Sequence, residues 1–96
     1  MYILAFNNAS KKDLKKIDKH NQSFILDSLE DFIQNFSSEY ETALTNSAKI
    51  KKLQGQKEEL YRLKLRSYRV IYKKYENKLV ILVVHVTTRE GAYKSS

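Results

Sequence analysis

Arg62, Lys64 and Arg66 occupy every second position after Tyr61, and Arg69 and Arg89 follow on two further alternating stretches. Permanent cations at that spacing do one kind of chemistry well. They grip phosphates and offset negative charge that develops on them. Arginine's planar fork matches phosphate geometry, whereas lysine would suffice for solubility. His85 lies on the last of these stretches, and histidine is the residue type that exchanges a proton near neutrality. The charge around them is lopsided. Residues 61–94 hold nine Lys/Arg against two acids, and that excess of +7 is the net charge of the whole chain. Residues 1–60 hold nine lysines and nine acids and cancel. A solubility device would spread its charge. A block of this kind points to a polyanionic partner, nucleic acid first and an acidic protein or anionic membrane second.

Composition narrows the classes. Ninety-six residues make one domain, expected over 1–96, with a single modest core. Cysteine is absent, which excludes a disulfide scaffold and thiolate metal ligation. His20 and His85 are far apart in sequence and make no zinc site by themselves, so no metal and no cofactor are expected. The start, MYILAFNN, lacks the basic region of a signal peptide, and the longest apolar run, Leu79–Val84, falls far short of a membrane span. A cytoplasmic protein without membrane contact is expected.

The elements that must position the cations follow from periodicity. Tyr2–Phe6 alternates and predicts a short strand. Asn7, Asn8 and Ser10 offer cap oxygens to a first helix carrying Leu14 and Ile17 on one face. Asn21 offers a cap to a second helix, where Ile25, Leu29, Phe32, Ile33 and Phe36 recur at helical spacing, and His20 falls in the turn of this helical hairpin. Residues 37–52 have turn character with Tyr40 and Leu44 as packing residues, and predict a partly helical connection. Three strands then form an antiparallel meander over Tyr61–Leu65, Tyr68–Tyr75 and Lys78–Thr87. Arg66-Ser67 and Glu76-Asn77 connect them, with Asn77 placed to take a positive φ. The fold class is α+β: strand, helical hairpin, three-strand meander.

Strand parity sorts the charges. Arg62, Lys64 and Arg66 share a face opposite Tyr61, Leu63 and Leu65, and Arg69 and Lys73 oppose Tyr68, Val70 and Tyr72. On the third strand Ile81, Val83, His85, Thr87 and Arg89 oppose Val80, Leu82, Val84 and Val86. Packing the apolar faces under the helices leaves a face bearing Arg62, Lys64, Arg66, Arg69, His85 and Arg89. Like charges on neighbouring strands cost stability, so a fold that gathers them gains something else from them. Lys73, Lys74 and Lys78 near a hairpin tip are assigned to solvation.

The stretch LYRLKLRSYRVIYK, the strand VILVVHV and the segment TREGAY together resemble the RelE/ParE superfamily of bacterial toxins, nearest to its RelE-like, ribosome-dependent mRNA endonucleases. ASKKDLKKIDK is similar to the family's first helix and KKLQG to its basic segment before the second strand. The resemblance covers nearly the whole chain. It implies a β-α-α-β-β-β fold with a concave basic face, a cognate antitoxin, and cleavage of mRNA on the ribosome. In that reaction the RNA 2′-hydroxyl attacks the adjacent phosphate without a metal. Fixed cations aimed at the extra negative charge are then the protein's main tool.

By position, the resemblance implies that Arg62 and Lys64 are the basic pair of the family's second strand, with Lys64 protonating the leaving oxygen or neutralising charge. Arg69 is the arginine that stabilises the transition state. Arg89 holds phosphate and Tyr93 stacks on a base, with Arg66 and Lys94 as further substrate contacts. One departure matters: relatives often carry lysine where this chain has Arg62, and that lysine is the suggested general base. Arginine stays protonated in proteins, so the base is open. His85, on the same expected face, is one candidate. Two other functions fit the same fold, a ParE-like inhibitor of DNA gyrase and a catalytically degenerate RNA- or ribosome-binding protein. Gyrase-directed members generally lack the full basic and tyrosine set.

Overall fold

The computed structural model describes residues 1–55 and 57–88. Strand β1 (Ile3–Phe6) gives way to α1 (Asn8–Lys15) at Asn7, whose side-chain oxygen accepts the Ser10 amide at 2.8 Å. Ser10 is fully buried and returns its hydroxyl to the Asn7 carbonyl at 3.0 Å. The turn to α2 (Lys19–Asn35) is clamped by Gln22, whose amide donates to the Leu14 and Ile17 carbonyls at 2.6 and 3.0 Å. The Leu14 carbonyl, in the last turn of α1, also accepts the Ile17 N–H at 3.1 Å.

Asp18, not Asn21, caps α2. Its carboxylate accepts the Asn21 backbone N–H at 3.2 Å and the Asn21 side-chain N–H at 2.8 Å. These bonds hold the exposed Asp18 carboxyl below the usual range, with the Asn21 side chain the largest cause. The helix therefore begins at Lys19, and His20 is an exposed residue of its first turn rather than part of the hairpin turn.

Residues 37–52, expected as a partly helical connection, form α3 (Ser38–Asn46) and a short strand β2 (Ile50–Lys52). Ser37 caps α3 by accepting the Tyr40 amide at 3.1 Å. Its end is a paired reverse turn in which Lys49 N–H donates to the Leu44 carbonyl at 2.8 Å and Ala48 N–H to Thr45 at 3.0 Å. Ala48 takes φ 65° there, a left-handed value that helix ends usually give to glycine.

The sheet has five strands in the order β1-β5-β4-β3-β2, with β3 (Tyr61–Leu65), β4 (Tyr68–Tyr75) and β5 (Val80–Thr88) forming the expected antiparallel meander. β2 extends it antiparallel at one edge, and β1 lies parallel to β5 at the other. The β3–β4 turn puts Arg66 at φ 55°, and the four-residue β4–β5 turn gives its positive φ (53°) to Leu79, not to Asn77. β5 consequently starts at Val80, and β1 at Ile3.

All three helices pack through one cluster. Ile25, Leu29, Phe32 and Ile33 of α2 meet Ile50, Leu63, Leu65, Val70, Tyr72, Ile81, Val83 and Val86 of the sheet. The expected faces hold on β3 and β4 but not along all of β5. Tyr72 pairs with Val83 and Ile71 with His85, so Val84 is an extra residue, a β-bulge. The bulge shifts the alternation by one. Ile81 and Val83 enter the core before it, and Val86 after it. Of the expected set Val80, Leu82, Val84 and Val86, only Val86 belongs to the cluster.

Lys74 is a second correction. It is not a solvated hairpin lysine: its side chain is 15% exposed and its ammonium lies 2.7 Å from Glu41 Oε1. The Tyr72 hydroxyl donates to Glu41 Oε2 at 3.2 Å, so one α3 carboxylate ties down two β4 residues. Burial pushes the Tyr72 phenol well up, helped by Glu41. For Lys74 burial works against the charge, but the Glu41 carboxylate outweighs it and the net shift is upward. Lys73, on the opposite face, pairs with Glu58, and that contact raises its pKa. No helix among the described residues is long and apolar enough to cross a membrane.

Candidate nucleic-acid interface

The residues that alternate with the core set on β2, β3, β4 and the end of β5 form a second face. Register places two rows across it. One runs Lys51, Arg62, Ile71, His85, and the other Lys64, Arg69, Thr87. Each strand step is about 4.8 Å, so the first row spans roughly 14 Å. Lys51 lies directly opposite Arg62, and Lys64 directly opposite Arg69. Two adjacent pairings of cation on cation are costly in a sheet.

The four cations differ in freedom. Lys51 and Lys64 are exposed and Arg62 is half-buried. Arg69 is 6% exposed, and its Nη1 donates to the Arg66 and Tyr68 carbonyls at 2.8 and 2.9 Å. Those bonds anchor the guanidinium along the β3–β4 turn, so this charge is fixed in place rather than swung on a flexible stem. Two polar atoms of the face, Arg62 Nε and Thr87 Oγ1, are buried without a hydrogen-bond partner among the described residues.

Arg66 does not join this face. Its left-handed backbone ends the alternation, and its guanidinium lies 3.9 Å from the ring centre of Phe24 on α2. It therefore lines the groove between α2, α3 and β3, a cavity of about 310 Å³ that also includes Asp31, Lys49 and Lys64. Arg89, Tyr93 and Lys94 lie outside the described residues.

His85 stands at the end of the first row, its side chain 55% exposed, with Nδ1 3.3 Å from Asp13 Oδ2 of α1. The same oxygen accepts the Val86 backbone N–H at 2.9 Å. The reason lies in the strand edge. β1 stops pairing at Val83, Asn7 N–H takes the Val83 carbonyl at 3.1 Å, and Asp13 satisfies the N–H beyond it.

Sequence reading missed Lys51 and Asp13. A three-residue strand shows no alternation to follow. Asp13 sits among the lysines of α1 with nothing local to mark it. Among the described residues no three His, Asp or Glu side chains gather closely enough to hold a metal ion.

Comparison with known proteins bears on the family and the fold. The family model described as the ParE toxin of type II toxin-antitoxin systems, parDE, matches residues 4–93. A search of curated proteins finds no match. Among solved structures, the intact E. coli RelBE toxin-antitoxin complex contains a chain that is 26% identical with a TM-score of 0.66, over 92% of this chain and 96% of that one. The archaeal RelE-RelB complex from Pyrococcus horikoshii OT3 gives the same identity and TM-score over 92% and 94%. The isolated E. coli RelE toxin is similar in fold, at 22% identity and TM-score 0.65 over 99% and 98%.

Proposed function

The chain belongs to the ParE toxin family of type II toxin-antitoxin systems, and from that premise we propose that it acts as a RelE-like endoribonuclease that cleaves mRNA on the ribosome and so inhibits translation. One observation carries this reading. The register sets Lys51 against Arg62 and Lys64 against Arg69 on a single face. That arrangement sets like charges side by side on neighbouring strands, a pattern suited to a polyanion.

The chemistry asked of the face is modest. The 2′-oxygen forms a bond to phosphorus as the P–O5′ bond breaks, leaving a 2′,3′-cyclic phosphate, which water can open to a 3′-phosphate, and a 5′-hydroxyl. The five-coordinate state carries more negative charge than the diester. Arg69, held by two backbone carbonyls, is a preorganised charge for it. Arg62 neutralises a flanking phosphate, and Lys64 meets the leaving oxygen. Arg89 and Tyr93 are assigned to phosphate and base on the resemblance alone, with Lys94 beside them.

The partners are the ribosome, mRNA and a cognate antitoxin, all cytoplasmic. The antitoxin rests on the RelB-bound state of the matched complexes. It would cover the basic face with a helix or an added strand.

A second reading, inhibition of DNA gyrase, is favoured by the family model being that of ParE. One experiment separates the two. Purified protein is added to ribosomes programmed with a defined mRNA and, in parallel, to gyrase with relaxed plasmid. Codon-phased cuts bearing 5′-hydroxyl ends are expected, with supercoiling unchanged. Intact mRNA with blocked supercoiling would replace the nuclease by the gyrase inhibitor. Salt-sensitive RNA binding without cuts would leave a binding protein.

A further inference from the structure

We infer that Asp13 and His85 form the proton-accepting pair of the open face, with His85 as the catalytic base and Asp13 as its positioning residue; this rests on the endonuclease reading above. A 2′-hydroxyl attack needs a base, and the arginines cannot supply one because they stay protonated. His85 lies on the same row as Arg62, two strands away, and beside the row that holds Arg69. A phosphodiester bound between those arginines is within its reach.

Asp13 gives the imidazole a direction. A carboxylate has no proton to give, so the 3.3 Å contact is a bond donated by Nδ1–H to Oδ2. Nδ1 then keeps its proton and Nε2 offers its lone pair outward. The carboxylate is itself held, since Oδ2 also accepts the Val86 N–H at 2.9 Å. The bulge completes the geometry. Without the extra residue Val84, a residue two places after Val83 would point into the core with it; with it, His85 turns to the open face.

The proton balance closes. The O2′–H proton passes to Nε2 as O2′ bonds to phosphorus. The P–O5′ bond breaks, and O5′ takes a proton from the Lys64 ammonium. Solvent then resets both side chains. The charged groups around the imidazole are Asp13 from α1, Arg69 and Lys73 on β4 either side of Ile71, and Arg62 on β3. β1 contributes no titratable group, and Lys12, Lys15 and Lys16 of α1 are exposed to solvent.

The test is single-turnover cleavage on programmed ribosomes across pH, with wild type, His85→Gln, Asp13→Asn and the double variant. The expected result is a loss of about 100-fold in rate for His85→Gln, together with loss of the acid limb of the profile. In Asp13→Asn a neutral amide oxygen can still accept the Val86 N–H at the position of Oδ2, and the Nδ1–H bond to that same atom loses its charge and weakens. That variant should therefore slow cleavage about tenfold or more with unfolding temperature retained, and the double variant should be no slower than His85→Gln. Nitrogen NMR of the free protein should show the neutral Nδ1–H form of His85, at a smaller fraction in Asp13→Asn.

His85→Gln within about threefold of wild type with the acid limb intact would overturn the pair while leaving the nuclease standing. An Nε2–H tautomer in wild type would also overturn it. A wild type that leaves mRNA intact while blocking gyrase overturns the nuclease reading, and the base falls with it.

Discussion

Val70 and Tyr72 of β4 point into the core at 0% and 1% exposure, and the next residue of that parity, Lys74, has its charge matched by Glu41 of α3. Arg69, on the other parity, is nearly as buried at 6%, yet the residue directly across from it is Lys64, another cation. One strand thus carries two policies for charge. On the covered face a cation is admitted with a carboxylate and a tyrosine hydroxyl around it, and it holds α3 to the sheet. On the open face cations are set against cations, with backbone carbonyls steadying one of them. On the covered face charge is matched by a carboxylate of the same chain. On the other, like charges are gathered across neighbouring strands.

That contrast is breakable. The largest effect should come from the covered face, where Leu29→Ala removes a side chain that is 1% exposed against the sheet. A loss of about 2–5 kcal/mol in denaturant unfolding is expected.

Next is Glu41→Gln, which leaves the Tyr72 hydroxyl without its carboxylate and Lys74 with only the longer, 3.4 Å contact to Glu76. About 1–3 kcal/mol should be lost near neutrality. The same variant tests pH dependence. Tyr72 and Lys74 both have folded-state pKa values raised. Their contribution is therefore complete below the unfolded values, near about 10 for both residue types, and is lost as pH rises through the folded ones. Wild type should lose stability steeply above about pH 10, and Glu41→Gln less steeply.

The smallest effect has the opposite sign. Lys64→Gln removes one of two facing cations and should stabilise the free protein by about 0.2–1 kcal/mol while weakening cleavage on ribosomes. If Lys64→Gln destabilises the protein, the open face belongs to the fold after all and the contrast fails.

Much of this was legible in the sequence because alternation and helical spacing report which side faces the core. β3 and β4 fell where Tyr61–Leu65 and Tyr68–Tyr75 alternate, and Ile25, Leu29, Phe32 and Ile33 marked the buried side of α2. What escaped was written in residues filling roles usually held by others. Ala48, Arg66 and Leu79 take the positive φ angles that mark turns, where glycine or asparagine would have announced them. Hence the end of α3, the start of β2 and the phase of the last hairpin were hidden. The bulge was hidden because Val80–Val84 is apolar at every position, so either parity satisfies it. At the site, Arg62, Lys64, Arg69 and His85 were found by alternation. Arg66 was misplaced because alternation stops where the turn begins. Asp13 meets His85 across 72 residues of chain, a distance no local pattern reports.

Val84 also sets a rule for how this chain can vary. An extra residue in a strand is a dislocation, and everything downstream of it is out of phase with everything upstream. Point changes within Val80–Val83 are confined to their own half, but deleting Val84 would slide the defect out. Plain alternation would then run from Val83 through His85 to Val86, so His85 would keep its face and Val86 its place in the core. Loss of Val84 should therefore be tolerated better than insertion of one residue between His85 and Val86, which would turn Val86 toward the cations.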